Sequence, residues 1–321
     1  MTFIATVIAK KGTVLIADSL VTTSRPILEY DEFYAYLQSK TVKEGDGEIK
    51  IDTAEVIDLF KSKPSHTKDF QEKLFEYGNF TAVATAGAAT LNGKSLEDVI
   101  NAAKKALIKK GDSKKIKERV EELGAYLNDE AVKCLKAGNL VRPAILIITR
   151  YSKSSQKTIV YKLYIKRSSP ENLKQEGYKC ISFNEQPEYF TVVCEGQNRI
   201  SERILWGDID TISEIIPKVA KTIFKDFTIL AENIPDGYVD KLAQNAEVLP
   251  ASYLEDIKMR KLSQLSLQQA IDLACLLMRI ERDIQKYTEN IPTVGGNVKV
   301  AVIDDKGFRF LSGHDLKSQS F

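Results

Sequence analysis

Two short apolar runs, FIATVIA at residues 3–9 and TVLIA at 13–17, set the first constraint on this fold. Both are rich in β-branched side chains, and Lys10, Lys11 and Gly12 between them form a charged, glycine-containing turn. That combination predicts a β-hairpin. The runs are apolar almost throughout rather than alternating, which predicts a sheet covered on both faces. Asp18 closes the second strand. In a hairpin the end of strand two lies beside the start of strand one, so spacing alone predicts that Asp18 approaches Thr2.

A second hairpin is predicted within residues 72–87, EKLFEYGNFTAVATAG, turning at Gly78-Asn79. Helical patterns follow from Ser95, a candidate N-cap, to about residue 110, and from about 114 to 135. Residues 143–150 and 157–166 read as a third hairpin, and 178–183 and 189–194 as two further strands. A helical pattern follows at ISERILWG, and another at 211–227. The capping-box pattern Ser266-Leu-Gln-Gln269 opens a long helix to about residue 286. Its apolar stripe, Ala270, Ile271, Ala274, Leu277, Met278 and Ile280, reads as core. Strands grouped with intervening helices predict an α+β chain, forming one domain over residues 1–321. Residues 22–71 and 228–262 read as insertions, the first either a surface elaboration or a lid or subunit contact beside residue 18.

The chain has 321 residues, 46 Lys and Arg against 44 Asp and Glu, and two histidines, His66 and His314. A formal charge of +2 gives no reason to expect nucleic acid as a partner. No apolar run approaches the roughly 20 residues that span a bilayer, and Lys10 and Lys11 interrupt the only apolar stretch near the start, unlike a signal peptide. A cytoplasmic location without membrane association is expected. Cys134, Cys180, Cys194 and Cys275 are scattered, as in reduced, packing thiols. With two histidines, an imidazole-based triad or a His-rich zinc site is not expected, and neither a metal nor a cofactor is anticipated. A hydrolase of this composition needs another base. Removal of Met1 would expose Thr2 as the first residue, with a hydroxyl and a primary amine on adjacent carbons: a nucleophile and a base in one residue.

These features together resemble the β-type proteasome subunits and their bacterial relatives, the HslV-like peptidases and the bacterial proteasome homologue Anbu. Thr2 to Asp18 and Lys73 to Gly87 have the family spacing, and residues 295–311, GGNVKVAVIDDKGFRFL, are similar to the family's closing hairpin. The resemblance implies a four-layer αββα sandwich of the N-terminal nucleophile hydrolase type. It implies a threonine endopeptidase in which Thr2 attacks a peptide carbonyl, Asp18 holds Lys73, and the backbone N–H of Gly87 donates to the oxyanion. Val21, Phe75, Thr85 and Ala89 match family pocket positions and imply an apolar P1 side chain. Peptide or unfolded protein would be the substrate, a homo-oligomeric ring or open spiral the assembly, and an ATP-dependent unfoldase a partner by analogy only.

The chain departs from the family pattern in several places. Asp18 and Lys73 are 55 positions apart, longer than the family's strand and turn, which leaves Lys68 as a competitor for Lys73. Glu195 stands where proteasome subunits carry a Ser, as in Anbu; it either bonds the terminal amine or caps the next helix. Strict alignment puts Ile291 and Val294 where an Asp and a Ser stand near the nucleophile, with Asn290 or Thr293 as substitutes after a one-residue shift. Two other functions remain open on the sequence: a catalytically weak or silent scaffold subunit of the same assembly, and an N-terminal nucleophile amidase acting on a small molecule.

Overall fold

The computed structural model describes residues 2–44, 51, 55–56, 59–68, 71–108, 115–175, 177–187, 191–206, 262–288 and 292–311. The expected helix at 211–227, the insertion at 228–262 apart from its last residue, and Asn290 lie outside the described residues. The chain is α+β, built on two five-stranded antiparallel sheets.

The first sheet has the order β12-β1-β2-β13-β14. Its centre is the opening hairpin, β1 (Phe3–Ala9) and β2 (Gly12–Ala17). Every residue of the two strands is buried except Ile8, which is half-buried, as their near-continuous apolarity requires. β12 (Val192–Gly196) flanks β1, and the closing hairpin β13 (Lys299–Asp304) and β14 (Gly307–Phe310) flanks β2. The second sheet runs β11-β10-β9-β6-β5. Its strands are β5 (Leu74–Gly78), β6 (Thr81–Gly87), β9 (Ala144–Ser152), β10 (Lys157–Ile165) and β11 (Ile181–Glu185). β11 and β12 begin about three residues later than the sequence predicts.

Three apolar clusters hold these elements together. Ile4, Leu15, Ala17 and Ala301 of the first sheet meet Leu74, Ala84, Ala86 and Ile147 of the second. The far face of the second sheet packs Phe75, Val83, Leu146 and Leu163 against α2 (Leu96–Leu107) and α3 (Ile116–Lys136). Ser95 caps α2, its hydroxyl accepting from Asp98 N at 3.0 Å. The far face of the first sheet packs Phe3, Val7, Val14 and Ile16 against α5 (Leu267–Thr288), on which the short α4 (Arg199–Trp206) rests. The capping box of α5 is formed: Gln269 N donates to Ser266 Oγ at 3.2 Å and Ser266 N to Gln269 Oε1 at 2.9 Å.

The buried stripe of α5 includes Ala270, Ile271, Leu273, Ala274, Leu277 and Met278. Ile280 is only half-buried; the stripe turns instead onto Glu281 and Gln285, 1% and 2% exposed. Within the insertion after residue 21, β3 (Val21–Ile27) pairs with β4 (Lys61–Lys68), and α1 (Tyr30–Glu44) lies between them in sequence. The small pair β7 (Thr90–Leu91) and β8 (Lys94–Ser95) precedes α2. Among the described residues no helix is long and apolar enough to cross a membrane.

Candidate active site

Pairing within the opening hairpin carries Asp18 back to the start of the chain. Asp18 N donates to Phe3 O at 3.3 Å, and Phe3 N donates to Asp18 Oδ1 at 3.2 Å. The carboxylate is almost wholly enclosed, with Asp18 1% exposed. Its second oxygen accepts from Leu20 N at 3.2 Å and Gly295 N at 3.1 Å. Gly295 O in turn accepts from Ser19 N and Leu20 N at 3.2 and 3.0 Å. The loop before β13 therefore clamps residues 18–20.

Lys73 completes the centre. Its main chain is fixed one residue ahead of β5, where Lys73 O accepts from Thr85 N at 2.8 Å. Gln71 N donates to Ser19 O at 2.9 Å and ties this segment to the end of the first hairpin. The side chain then bridges the two sheets. Lys73 Nζ donates to Thr2 Oγ1 at 2.7 Å, to Asp18 Oδ1 at 3.0 Å and to Leu20 O. An ammonium has three N–H donors, and all three are used. Thr2 and Lys73 are 2% and 8% exposed. Burial pushes the Lys73 ammonium below its usual range, against the pull of the Asp18 charge and hydrogen bond. Burial likewise pushes Asp18 upward, opposed by the Lys73 charge and by hydrogen bonds from Gly295, Lys73 and Phe3.

The carbonyl of Thr2 is held as firmly as its hydroxyl. Gln197 N donates to Thr2 O at 2.7 Å, and Phe3 pairs with Gly196 across the β1–β12 ladder. Gly196 has φ +90°, and a Cβ there would lie 1.8 Å from Thr2 O and 3.4 Å from Ala86 Cβ. Only glycine fits, and the same close approach brings Ala86, near the end of β6, against β12. Gly87, the last residue of β6, has φ +96° and is exposed. A Cβ on Gly87 would meet Pro143 O at 2.8 Å, so this backbone also requires glycine.

The remaining sequence candidates are distributed around this centre. Glu195 forms an ion pair with Lys162 at 2.5 Å, with side-chain exposures of 14% and 17%. The start of α4 is met by a different carboxylate, as Ser201 N donates to Glu281 Oε1 at 2.7 Å. Thr293 is fully buried, and its hydroxyl bonds Gln197 Oε1. Phe75 lies in the cluster beneath α2 and α3, and Thr85 is 4% exposed. Ala89, half-buried, accepts at its carbonyl from Gln71 Nε2 at 2.9 Å. Val21 is half-buried at the start of β3, next to Thr22, whose Oγ1 donates to Pro292 O at 3.0 Å.

Gly196, Gln197 and Gln285 belong to the site but carry no motif that marks them in the sequence. Among the described residues no group of three His, Cys, Asp or Glu side chains is placed to hold a metal ion. The arrangement is a hydroxyl held by a buried ammonium, which a buried carboxylate holds in turn. Such a group suits nucleophilic attack with proton transfer nearby. No protein-family model matches the chain, and no curated protein matches it.

Proposed function

We propose that this protein is an N-terminal nucleophile hydrolase of the proteasome type, a threonine peptidase whose nucleophile is Thr2. The observation that carries the reading is the position of Lys73 Nζ, 2.7 Å from Thr2 Oγ1 and 3.0 Å from Asp18 Oδ1. Three residues from separate segments, two of them 55 positions apart, converge in one buried hydrogen-bonded set. The proposed architecture is the four-layer αββα sandwich. Three apolar clusters support it: one between the sheets and one under the helices on each outer face.

In the proposed reaction, removal of Met1 leaves Thr2 with a free α-amine, which titrates at about 7.7–8.0 in unperturbed form. The Lys73 ammonium lowers that value by like-charge repulsion, and a useful neutral fraction is present near pH 7. Lys73 donates to Thr2 Oγ1, so the hydroxyl proton is directed toward another acceptor, and the α-amine is that acceptor. Oγ1 attacks the peptide carbonyl, and the Gly87 N–H donates to the resulting oxyanion; one such donor lowers a barrier by about 2.7–4 kcal/mol in a studied protease. The tetrahedral intermediate collapses as the leaving amine takes the proton from the α-ammonium. Water then attacks the threonine ester, with the α-amine again accepting a proton. Peptides or unfolded chains are the proposed substrates, and a homo-oligomeric ring or spiral in the cytoplasm the proposed setting.

Intact mass measurement tests this reading. Incubation with a peptide vinyl sulfone should add one inhibitor mass to a chain that has lost Met1, with the adduct mapped to Thr2. Thr2→Ala should abolish the addition. An unmodified wild-type chain with a free Thr2 would overturn the proposal and favour a silent scaffold subunit.

A further inference from the structure

The polar end of the α5 stripe has no role in the reaction as described, yet both of its side chains are buried. Gln285 accounts for one of them. Its Oε1 accepts from Thr293 N at 2.6 Å and from Val294 N at 3.0 Å, while its Nε2 donates to Glu281 O at 2.6 Å. A carbonyl oxygen has two lone pairs, which the two backbone donors take up; Thr293 Oγ1 also lies 3.1 Å from it. The Thr293 hydroxyl sits between two acceptors, Gln285 Oε1 and the closer Gln197 Oε1, and so links the two glutamine side chains. The amide orientation is fixed by this pattern, since a flipped amide would face two N–H groups with an NH2.

From this one side chain two routes lead to the nucleophile. The first runs through Thr293 Oγ1 to Gln197, whose N–H donates to Thr2 O. The second runs through Val294 to Gly295, whose N–H donates to Asp18 Oδ2 and whose carbonyl accepts from Ser19 N and Leu20 N. Gln285 thus braces the peptide plane after the nucleophile and the carboxylate that holds Lys73. The loop's own positions cannot do this: Val294 is apolar and packs in the cluster under the first sheet.

We propose that Gln285 is a positioning residue of the Thr2 centre, acting through Thr293 and Gln197 on Thr2 and through Gly295 on Asp18. This rests on the peptidase reading for its catalytic consequence, but its structural content stands apart from it. Cutting the brace leaves the substrate-binding surface in place and misplaces Oγ1. Misplacement by about 1 Å costs on the order of 100-fold in rate.

The test compares wild type with Gln285→Met, which keeps the volume and removes the acceptor, and with Thr293→Val, which removes the hydroxyl that reaches Gln197 and keeps both backbone donors to Gln285. Two measurements are made on each full-length chain. The first is the kinetics of Thr2 modification by the peptide vinyl sulfone. Gln285→Met should lower the limiting rate by about 100-fold with an unchanged half-saturating concentration, and Thr293→Val should lower it less. The second is backbone hydrogen exchange. In Gln285→Met, protection at Gln197 and Gly295 should fall at least tenfold relative to the β1–β2 ladder. Wild-type exchange at these two amides in both variants overturns the proposal, whether or not Thr2 reacts. Lost protection without any reactivity in wild type overturns the peptidase reading alone. If Gln285→Met does not fold, wild-type protection at Gln197 in Thr293→Val is the overturning result.

Discussion

Gly196 passes the carbonyl of Thr2 so closely that a methyl group placed on it would lie 1.8 Å from Thr2 O. No side-chain rotation relieves such a contact, because both partners are main chain. Gly196→Ala should therefore push β12 off the start of β1 and break the Gln197 N to Thr2 O bond. The strain of a non-glycine residue at φ +90° adds about 1–3 kcal/mol. The expected outcome is a lower denaturation midpoint and complete loss of Thr2 modification. A variant with wild-type stability and reactivity would contradict the described packing.

Lys73 and Asp18 should not tolerate separation. Each is buried, and removing one partner leaves the other as an unpaired charge, a loss of about 3–5 kcal/mol where it stays ionised. Asp18→Asn should therefore lower stability and Thr2 reactivity together. Lys73→Met removes the ammonium that holds Oγ1 and should abolish Thr2 modification. Urea unfolding and inhibitor labelling of the same preparations check both effects. Labelling of Lys73→Met at the wild-type rate would remove Lys73 from the mechanism.

Much of this centre could be read from the sequence, and the boundary has physical causes. The opening hairpin announces itself through β-branched apolar runs, and hairpin geometry alone carries Asp18 to residue 2. Ser95 and Ser266 mark helix starts because capping is local, within three residues. Lys73 was legible only through family resemblance, since its partners lie 53 to 71 positions away. Gln285 was hidden for a different reason. A polar residue continuing an apolar helical stripe looks like the stripe's solvent end, and its acceptor role depends on loop amides folded over it from residues 293 and 294. Gly196 gave no signal because a glycine after a strand reads as an ordinary turn. The helix α1 is hard to read because its apolar set, Tyr30, Phe33, Tyr34 and Leu37, keeps helical spacing for only two turns, and none of its residues with a described side chain is buried.

Glu195 bonds Lys162 rather than a helix end, and this suggests a distinct prediction. Glu195→Gln strands a mostly buried Lys162 ammonium and should destabilise the fold. The double variant Glu195→Leu with Lys162→Met replaces the pair by apolar groups of similar size and should recover most of that loss. A double-mutant cycle by chemical denaturation measures the coupling. Recovery of stability without recovery of Thr2 reactivity would instead assign Glu195 to the chemistry.

Acid stability should depend on Glu130, at the contact between α3 and the β7–β8 turn. Glu130 on α3 accepts from Lys133 Nζ at 2.7 Å, from Asn92 Nδ2 at 3.0 Å and from Lys94 Nζ at 3.4 Å, joining α3 to the β7–β8 turn. Hydrogen bonds from Lys133 and Asn92 lower its pKa from 4.5 to about 2. The folded carboxylate thus holds its proton less tightly than the unfolded one. Its contribution is fully present above about pH 4.5 and is lost as pH falls toward 2. Glu130→Gln should lower stability near neutrality and flatten the decline between pH 4.5 and 2. Urea midpoints across that range for both proteins provide the check. An equally steep acid decline in Glu130→Gln would show that other carboxylates govern it.

The proton acceptor can be isolated through the chain's first amine. If the α-amine of Thr2 takes the hydroxyl proton, acylating it should remove the base while leaving Oγ1, Lys73 and Asp18 in place. A chain that retains Met1 carries that acylation naturally, because its residue-2 nitrogen is an amide. Thr2 modification should then be absent in the Met1-retaining form and present in the processed form of one preparation, separated by intact mass. The rate in the processed form should rise with pH as the amine loses its proton, and level off above the amine's pKa. That pKa should lie below the unperturbed 7.7–8.0 because Lys73 is close. Substituting Lys73 by Met would remove this cation, but also the group holding Oγ1, so the pH profile is best taken on the wild-type chain. Equal labelling of both forms would transfer the base role to Lys73, whose Nζ already lies 2.7 Å from Thr2 Oγ1.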